Sequence, residues 1–431
     1  VRGDVSGSVA RGAEATAADA VGANAPVGSL FGLPSLGLSL STRLALFYWA
    51  SFTIYGISMP YLNVWFKHRG LSINEIAIVS AVAPLVRMLC GPVVTFFADR
   101  WNAHARLLAI ASWMGLLAWI VLSTATSFWS AAAGMVLVAM TGAALNPLID
   151  TIAMAGVRTH GVDYGRVRAW GSISFILAAV ISGMMVDWRG IDMAMVLLVL
   201  AAGSTALTSL LAPVYADGDP SSQRKPMKVA DAIALVRHPV LALFLISAGA
   251  VQGSHAVLNV FSVLHWQSLG LSNWWCGVLW AIGVTAEIIL FLVAGRWFPR
   301  LGPLALMGLG GATAIIRWSI MAFDPPLGVL IPLQVAHGFT FGASHLGAIN
   351  FLARAIPEHQ AGTAQGLYSL MTGGLVMALS TQVAGIAYAT AGGRAYAAMA
   401  IIAAVSLVAT FLLYKTWDGE RLASETERCR E

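Results

Sequence analysis

The sequence predicts an all-α membrane protein with about twelve transmembrane helices in two pseudo-symmetric six-helix halves. Three observations carry this expectation. Of 431 residues, 58% are hydrophobic and 10% are charged, whereas a soluble domain is near half apolar and a quarter charged. From residue 43 onward, apolar stretches of membrane-spanning length alternate with short polar breaks. Arg69-Gly70-Leu71-Ser72 after the first stretch is echoed by Leu269-Gly270-Leu271-Ser272 after the seventh, a shift of about 200 residues.

Residues 1–40 are rich in Ala, Gly, Ser and Val. They lack both a helical period and the basic-then-apolar layout of a signal peptide, so a disordered cytoplasmic tail is expected. The N-terminal half is expected at 41–216, with spans at 43–66, 73–98, 107–128, 130–157, 169–186 and 193–215. The longest polar break contains Asp217, Asp219, Pro220, Arg224, Lys225 and Lys228, which places a cytoplasmic linker at 217–239. The C-terminal half is expected at 240–416, with spans at 240–266, 274–297, 303–323, 327–355, 363–389 and 394–414, and a cytoplasmic tail at 417–431.

Orientation follows from the basic residues. With the N-terminus inside, roughly 19 of the 25 Lys and Arg fall on the cytoplasmic side. About four fall outside, namely Lys67, Arg69, Arg189 and Arg394, while Arg87 and Arg317 fall within spans. Both termini are therefore expected to be cytoplasmic, in a bacterial inner membrane. The net charge of +5 reflects this loop bias and does not point to nucleic acid. Cys90, Cys276 and Cys429 form no disulfide framework and no zinc spacing. The chain has no nucleotide-binding loop, no H-E-x-x-H and no G-x-S-x-G, so neither ATP-driven pumping nor a multi-pass enzyme is favoured. No cofactor or metal is expected. The partners are a small solute, protons and lipid, with the chain acting as a monomer.

Polar groups inside the spans mark the chemistry. Gln252, His255, Asn259 and Ser262 fall at i, i+3, i+7 and i+10, one face of an expected helix. Glu287 sits among Ala286, Ile288, Ile289 and Leu290. A carboxylate there is costly, so the default reading is a functional site that takes and releases a proton. The bland alternative is a permanent ion pair with Arg317. Arg317 either holds Glu287 ionised, binds a substrate carboxylate through its fork of donors, or snorkels. Arg87 has the same options, or satisfies a backbone carbonyl freed by Pro84. Span 10 places Gln334, His337, Phe341, Ser344 and His345 close to one stripe, read as cavity lining rather than packing. Asp150, one turn after Asn146, is a second proton-site candidate or the partner of Arg87. Tyr48, Ser51, Tyr55, Ser58 and Trp65 share a face of span 1, with Trp65 assigned to the aromatic belt.

These segments carry a resemblance. Gly56-Ile57-Ser58-Met59-Pro60-Tyr61, Arg69-Gly70-Leu71-Ser72 and Asp163-Tyr164-Gly165-Arg166-Val167-Arg168-Ala169-Trp170-Gly171-Ser172 take part in it. So do Gln252-Gly253-Ser254-His255-Ala256, Glu287, Arg317-Trp318, and Gln334 through His337-Gly338 to His345. The chain after Leu40 resembles the major facilitator superfamily, and within it the phenylpropionate-permease family. The resemblance implies the major facilitator fold and alternating access. It also implies Glu287, Arg317 and His337 as proton-coupling residues on spans 8, 9 and 10, although span 10 lacks the carboxylate of the lactose-permease pattern. The gating loop between spans 2 and 3 keeps Asp99-Arg100, but Thr95 and Asn102 stand where glycines are usual and Arg106 is displaced. Looser gating is expected there.

The leading expectation is thus proton-coupled uptake of a small aromatic carboxylate such as 3-phenylpropionate. Arg317 or Arg87 would hold the carboxylate, and Tyr55, Gln252, His255, Asn259, Gln334 and His345 would line the site. The alternatives are a sugar or nucleoside symporter, a drug-efflux antiporter, a passive channel and, in a different class, a membrane enzyme.

Overall fold

The computed structural model describes residues 28–29, 37–214, 235–298 and 301–422. Most of the expected N-terminal tail, the expected linker up to residue 234 and the tail beyond residue 422 lie outside the described residues. What is described is nearly all helix. The first group is α1 (Leu40–His68), α2 (Ile73–Trp101), α3 (His104–Ser123), α4 (Phe128–His160), α5 (Tyr164–Arg189) and α6 (Asp192–Ser209). The second is α7 (Pro239–Gly253), α8 (Ala256–Ser268), α9 (Asn273–Trp297), α10 (Pro303–Met321), α11 (Leu327–Val335), α12 (Ser344–Ala355), α13 (Ala361–Leu370), α14 (Val376–Ala391) and α15 (Ala395–Thr416). Gly28–Ser29 pairs with Pro213–Val214 in a two-residue antiparallel ladder.

Among the described residues, ten helical stretches are long and apolar enough to cross a membrane. α1 is not among them, and the last stretch runs from Ala361 to Thr416 as one, across the turn Gly392–Arg394. Large apolar side chains cover the outside: Leu292 is 77% exposed, Trp129 79% and Phe323 85%. Such a surface suits hydrocarbon rather than water.

The helix boundaries follow from local chemistry. Gly70 and Gly270 adopt φ of +91° and +89°, a conformation open mainly to glycine. Each lets the chain turn back, so that Leu71 N–H bonds Phe66 O at 3.1 Å and Leu271 N–H bonds Trp266 O at 3.0 Å. The serine that follows then caps the next helix: Ser72 Oγ accepts from Glu75 N at 3.3 Å, and Ser272 Oγ from Trp275 N at 3.3 Å. The two copies of the repeated tetrapeptide therefore fold alike. Asp163 Oδ1 caps α5 by accepting from Arg166 N at 3.0 Å. Asn102 closes α2 in the left-handed region, φ 46°. Asparagine tolerates this region better than most residues.

Three expected spans are not continuous α-helices. The face read across Gln252, His255, Asn259 and Ser262 is interrupted, because α7 ends at Gly253 and α8 begins at Ala256. His255 N–H bonds Gln252 O at 3.1 Å in a tighter turn between them. Span 10 widens into a π-helical segment, Gly338–Ala343, between α11 and α12, and span 11 does the same at Met371–Leu375. Such π segments concentrate at functional sites.

α1 packs on α5 and α6, α2 on α4, and α3 on α4 and α6. α10 packs on α12 and α15, α15 on α7, and α9 on α11 and the Gly338–Ala343 segment. α5 meets α9, α2 meets α14, and α1 meets α8. The α5–α9 contact is fastened at the end that carries the Gly70 and Gly270 turns. Asp187 Oδ1 accepts from Asn273 N at 2.9 Å and Asn273 Nδ2 at 2.8 Å, and Oδ2 accepts from Trp274 N at 2.9 Å. A carboxylate at a helix N-terminus satisfies orphan N–H groups and suits the helix dipole. Beside it, the fully buried Tyr61 hydroxyl lies 3.0 Å from Ala179 O and 2.9 Å from Asn273 O.

Candidate functional site

The ionisable side chains converge at two centres. The first is buried among α7, α8, α9, α10 and the π segment. Arg317 on α10 is 1% exposed. It donates to Gln334 Oε1 at 2.8 Å, to Thr340 Oγ1 at 3.1 Å and to His337 Nδ1 at 3.2 Å. The other face of its guanidinium covers the Trp318 ring at 4.4 Å. Trp318 Nε1 is anchored on Ser254 Oγ at 3.0 Å, in the break between α7 and α8.

These bonds assign protons. Arg317 has donors only, so the His337 Nδ1 that it meets must accept. His337 therefore carries its proton on Nε2, and Nε2 faces Glu287 Oε2 at 3.9 Å. His255 is held in the complementary way. Its Nδ1 lies 2.9 Å from the Val251 carbonyl and must donate there, while Nε2 lies 3.0 Å from Thr340 Oγ1, a hydroxyl also 3.3 Å from the His337 carbonyl. The His337 imidazole is thus neutral in this arrangement. Arg317 Nε and Gln334 Nε2 are buried with no partner. An unmet buried donor costs about 1–3 kcal/mol, so the cluster holds spare capacity for hydrogen bonding.

The π segment brings rings four residues apart nearly into register, because its turn is wider than an α turn. His337 stacks on Phe341 (centroids 5.6 Å, 20°) and Phe341 on His345 (6.1 Å, 17°). His345 Nδ1 ends the column at the Tyr368 hydroxyl, 2.8 Å away. Glycines make room for this: a Cβ on Gly338 would meet the Ala286 carbonyl at 2.9 Å, beside Glu287.

The second centre lies between α1, α4 and α5. Asp150 accepts from the Tyr48 hydroxyl and, at 3.2 Å, from the Tyr164 hydroxyl. Arg168 lies over Phe52 at 4.1 Å and over Tyr48 at 5.6 Å. Tyr48, Phe52 and Tyr55 form a ladder of rings along α1, with neighbours 6.4 and 5.5 Å apart. Arg87 lies 6.0 Å from the Tyr55 ring. Tyr55, Arg87, Ser51, Ser58 and Trp119 line a separate cavity of about 60 Å³ among α1, α2, α3, α4 and α6.

The structure brings Glu287, Arg317, His337, His255 and Gln334 together. It does not make a Glu287–Arg317 ion pair: His337 stands between them. Asp150 is not the partner of Arg87 either, because two phenols satisfy it first. Gln252 is buried at the end of α7, Asn259 Nδ2 meets only Met377 S at 3.9 Å, and His345 points along its ring column to Tyr368. Asp99 and Arg100 are exposed, with Asp99 Oδ1 2.9 Å from His104 Nε2. Trp65, assigned to a lipid belt, instead donates to Asp192 Oδ1 at 3.0 Å.

Sequence reasoning passed over Thr340, Phe52 and Arg168 as site residues. The available signal for Arg168 was its position one turn into an apolar helix, where lipid does not welcome a cation. Arg166, two residues earlier, is 84% exposed by side chain and only reaches Asp163.

Residues 41–398 match the MFS_1 like family. The chain is 31% identical over 370 residues to a probable 3-phenylpropionic acid transporter of Escherichia coli (strain K12), spanning 84% of this chain and 95% of that one. It is 26% identical to a maltose permease of Geobacillus stearothermophilus, over 89% of this chain and 96% of the permease. In structure it is similar to the nucleoside transporter NupG, with a TM-score of 0.75 at 18% identity, covering 88% of this chain and all of that one. It is also similar to an inward-facing, unoccupied bacterial homolog of the human lysosomal transporter Spinster, with a TM-score of 0.71 at 14% identity over 89% of this chain and 98% of that one. A family match over most of the length, with a relative above 30% identity, identifies the chain as a member of the MFS_1 like family, a multi-pass membrane transporter of the MFS type and not an enzyme.

Proposed function

We infer that the chain is a proton-coupled secondary transporter of a small aromatic carboxylate, working by alternating access. In this reading it crosses the bacterial inner membrane twelve times, with both termini cytoplasmic. Support for twelve crossings comes from the length of α1, 29 residues, and from the Gly392 turn (φ 56°) that divides the last apolar stretch. Support for two equivalent halves comes from the packing. Counting α7–α8, α11–α12 and α13–α14 as single spans, a shift by six spans turns the α1–α6, α2–α4, α3–α4 and α3–α6 pairs into contacts seen in the second half. The same operation exchanges the two cross-contacts, α5–α9 and α2–α14.

The observation that carries proton coupling is the bond from Arg317 to His337 Nδ1. It fixes an imidazole N–H toward Glu287, a donor that favours the ionised carboxylate, so Glu287 itself takes and releases the proton while His337 and Arg317 stay in place. The aromatic-carboxylate class draws on the relative named as a 3-phenylpropionic acid transporter, and on the ladder of rings flanked by Arg168 and Arg87.

The outer ends of α5 and α9 are closed by Asp187, Asn273 and Tyr61. Near the same end, Gln382 Nε2 of α14 donates to Ala77 O of α2 at 3.1 Å. In the orientation inferred here this arrangement faces inward.

The test is uptake into proteoliposomes. An inward proton gradient is expected to drive accumulation of labelled 3-phenylpropionate, and an uncoupler to abolish it. Accumulation at an unchanged rate with the uncoupler present would remove the proton from the mechanism. Relatives named as maltose and nucleoside permeases make neutral polyhydroxylated solutes the competing class. Maltose- or uridine-driven proton entry in the same vesicles, with none for the acid, would select it.

A further inference from the structure

We propose that Arg168 is the group that receives the substrate's carboxylate; this rests on the reading of the chain as a carboxylate transporter. Among the described residues Arg43, Arg168 and Arg317 are the arginines buried or half-buried, and Arg87 lines a cavity; their surroundings separate these four. Arg43 Nε donates to the Leu211 carbonyl at 2.6 Å, away from both centres. Arg317 is buried and gives its terminal nitrogens to Gln334, Thr340 and His337. Arg87 opens onto about 60 Å³, room for a few waters, whereas sites for drug-sized ligands run to about 300–1,000 Å³. Arg168 is half-buried, and among the described residues its guanidinium makes no hydrogen bond and no ion pair. Its contacts are with ring faces, Phe52 at 4.1 Å and Tyr48 at 5.6 Å.

That packing has a chemical consequence. A ring against its face holds and partly desolvates a guanidinium, while its edge keeps the N–H fork that fits a carboxylate in two parallel bonds. The platform is built for the purpose: a Cβ on Gly171 would meet the Phe52 ring at 3.0 Å, so glycine there lets Phe52 lie against α5. The nearby anion, Asp150, is already served by two phenols and leaves the fork unclaimed.

The position also fits coupling. Arg168 is a cation within electrostatic reach of Glu287. Measured from the Asp187–Asn273 junction, helical rise puts Arg168 roughly 28 Å and Glu287 roughly 21 Å along their helices, so the two lie within about 7 Å of the same depth on helices that pack together. A substrate anion on Arg168 and a proton on Glu287 enter together with no net change of charge in the bundle.

The experiment is binding to purified protein in lipid nanodiscs, comparing 3-phenylpropionate with its neutral analogue 3-phenylpropanamide. Wild type is expected to bind the acid at least ~10-fold tighter than the amide. Arg168→Gln is expected to erase that preference while amide binding, which also reports an intact fold, stays as in wild type. Arg168→Lys, which keeps the charge but not the fork, is expected to lose part of it. An undiminished preference in Arg168→Gln, or in Arg168→Lys should the glutamine variant not fold, overturns the proposal and leaves the transporter reading standing. Loss of the preference in Arg87→Gln instead would do the same. A wild type with no preference for the acid overturns both.

Discussion

Arg317 donates to Nδ1 of His337 at 3.2 Å, and His337 turns its Nε2 to Glu287 at 3.9 Å. A cation on one helix thereby sets the tautomer of an imidazole on another, and the imidazole presents a proton to a carboxyl on a third. Glu287 is 23% exposed by side chain and His337 15%, so the pair is enclosed without being sealed.

Lysine cannot replace the fork of Arg317. Its single ammonium reaches one or two of the three acceptors, and the tautomer of His337 is no longer fixed. Arg317→Lys is expected to cut gradient-driven uptake by ~10-fold or more while substrate exchange between equal pools falls less. Parallel uptake and counterflow assays separate the two.

The Asp187 cap joins α5 to α9 and shields Cys276, which is buried beneath it. Asp187→Ala removes acceptors for three N–H groups, a loss of about 1–2 kcal/mol on the capping scale. In a background lacking Cys90 and Cys429, maleimide labelling of Cys276 from outside is expected to quicken roughly 5- to 30-fold.

Close backbone approach fastens the same junction. A Cβ on Gly183 would meet Asn273 O at 2.6 Å, and one on Gly277 would press on the Ala179 carbonyl and the Tyr61 hydroxyl. Neither obstacle is the end of a flexible chain, so Gly277→Ala is expected to cost about 1–3 kcal/mol. It should lower the melting temperature in detergent and speed Cys276 labelling together. Tyr61→Phe, which deletes only the hydroxyl, is expected to do less of both.

Asp150 is satisfied by Tyr48 and Tyr164 rather than by a cation. Removing both hydroxyls leaves a carboxylate within the bundle with Arg168 as its nearest available donor. The double variant Tyr48→Phe/Tyr164→Phe is therefore expected to draw Arg168 onto Asp150 and weaken binding of 3-phenylpropionate ~10-fold, with 3-phenylpropanamide unaffected. Equilibrium binding of the two compounds checks it.

Much of this was legible from residue types. Glu287, Arg317 and His337 stood out because apolar neighbours leave no cheap place for a charge. The Gly-Leu-Ser repeat marked a turn because only glycine takes φ near +90° easily, and both copies make it. What a regular helical wheel hides is irregular backbone. Ser254 and His255 belong to no helix, and Ser254 can therefore face Trp318. The π turn stacks the rings of His337, Phe341 and His345 face to face, where a wheel shows only a shared stripe. Partner choice was also hidden: Asp150 looked like a match for Arg87 by charge, but its phenol neighbours come from α1 and from the start of α5. Arg168 was masked by Arg166, an exposed arginine of the same motif.

The most direct test is proton movement itself in vesicles carrying wild type or Glu287→Gln, recorded with a pH indicator inside while 3-phenylpropionate is added outside without a gradient. Wild type is expected to acidify the lumen with substrate entry. The glutamine variant should exchange substrate yet carry no protons. Substrate-linked acidification of equal size in Glu287→Gln would contradict the assignment of Glu287 as the proton carrier.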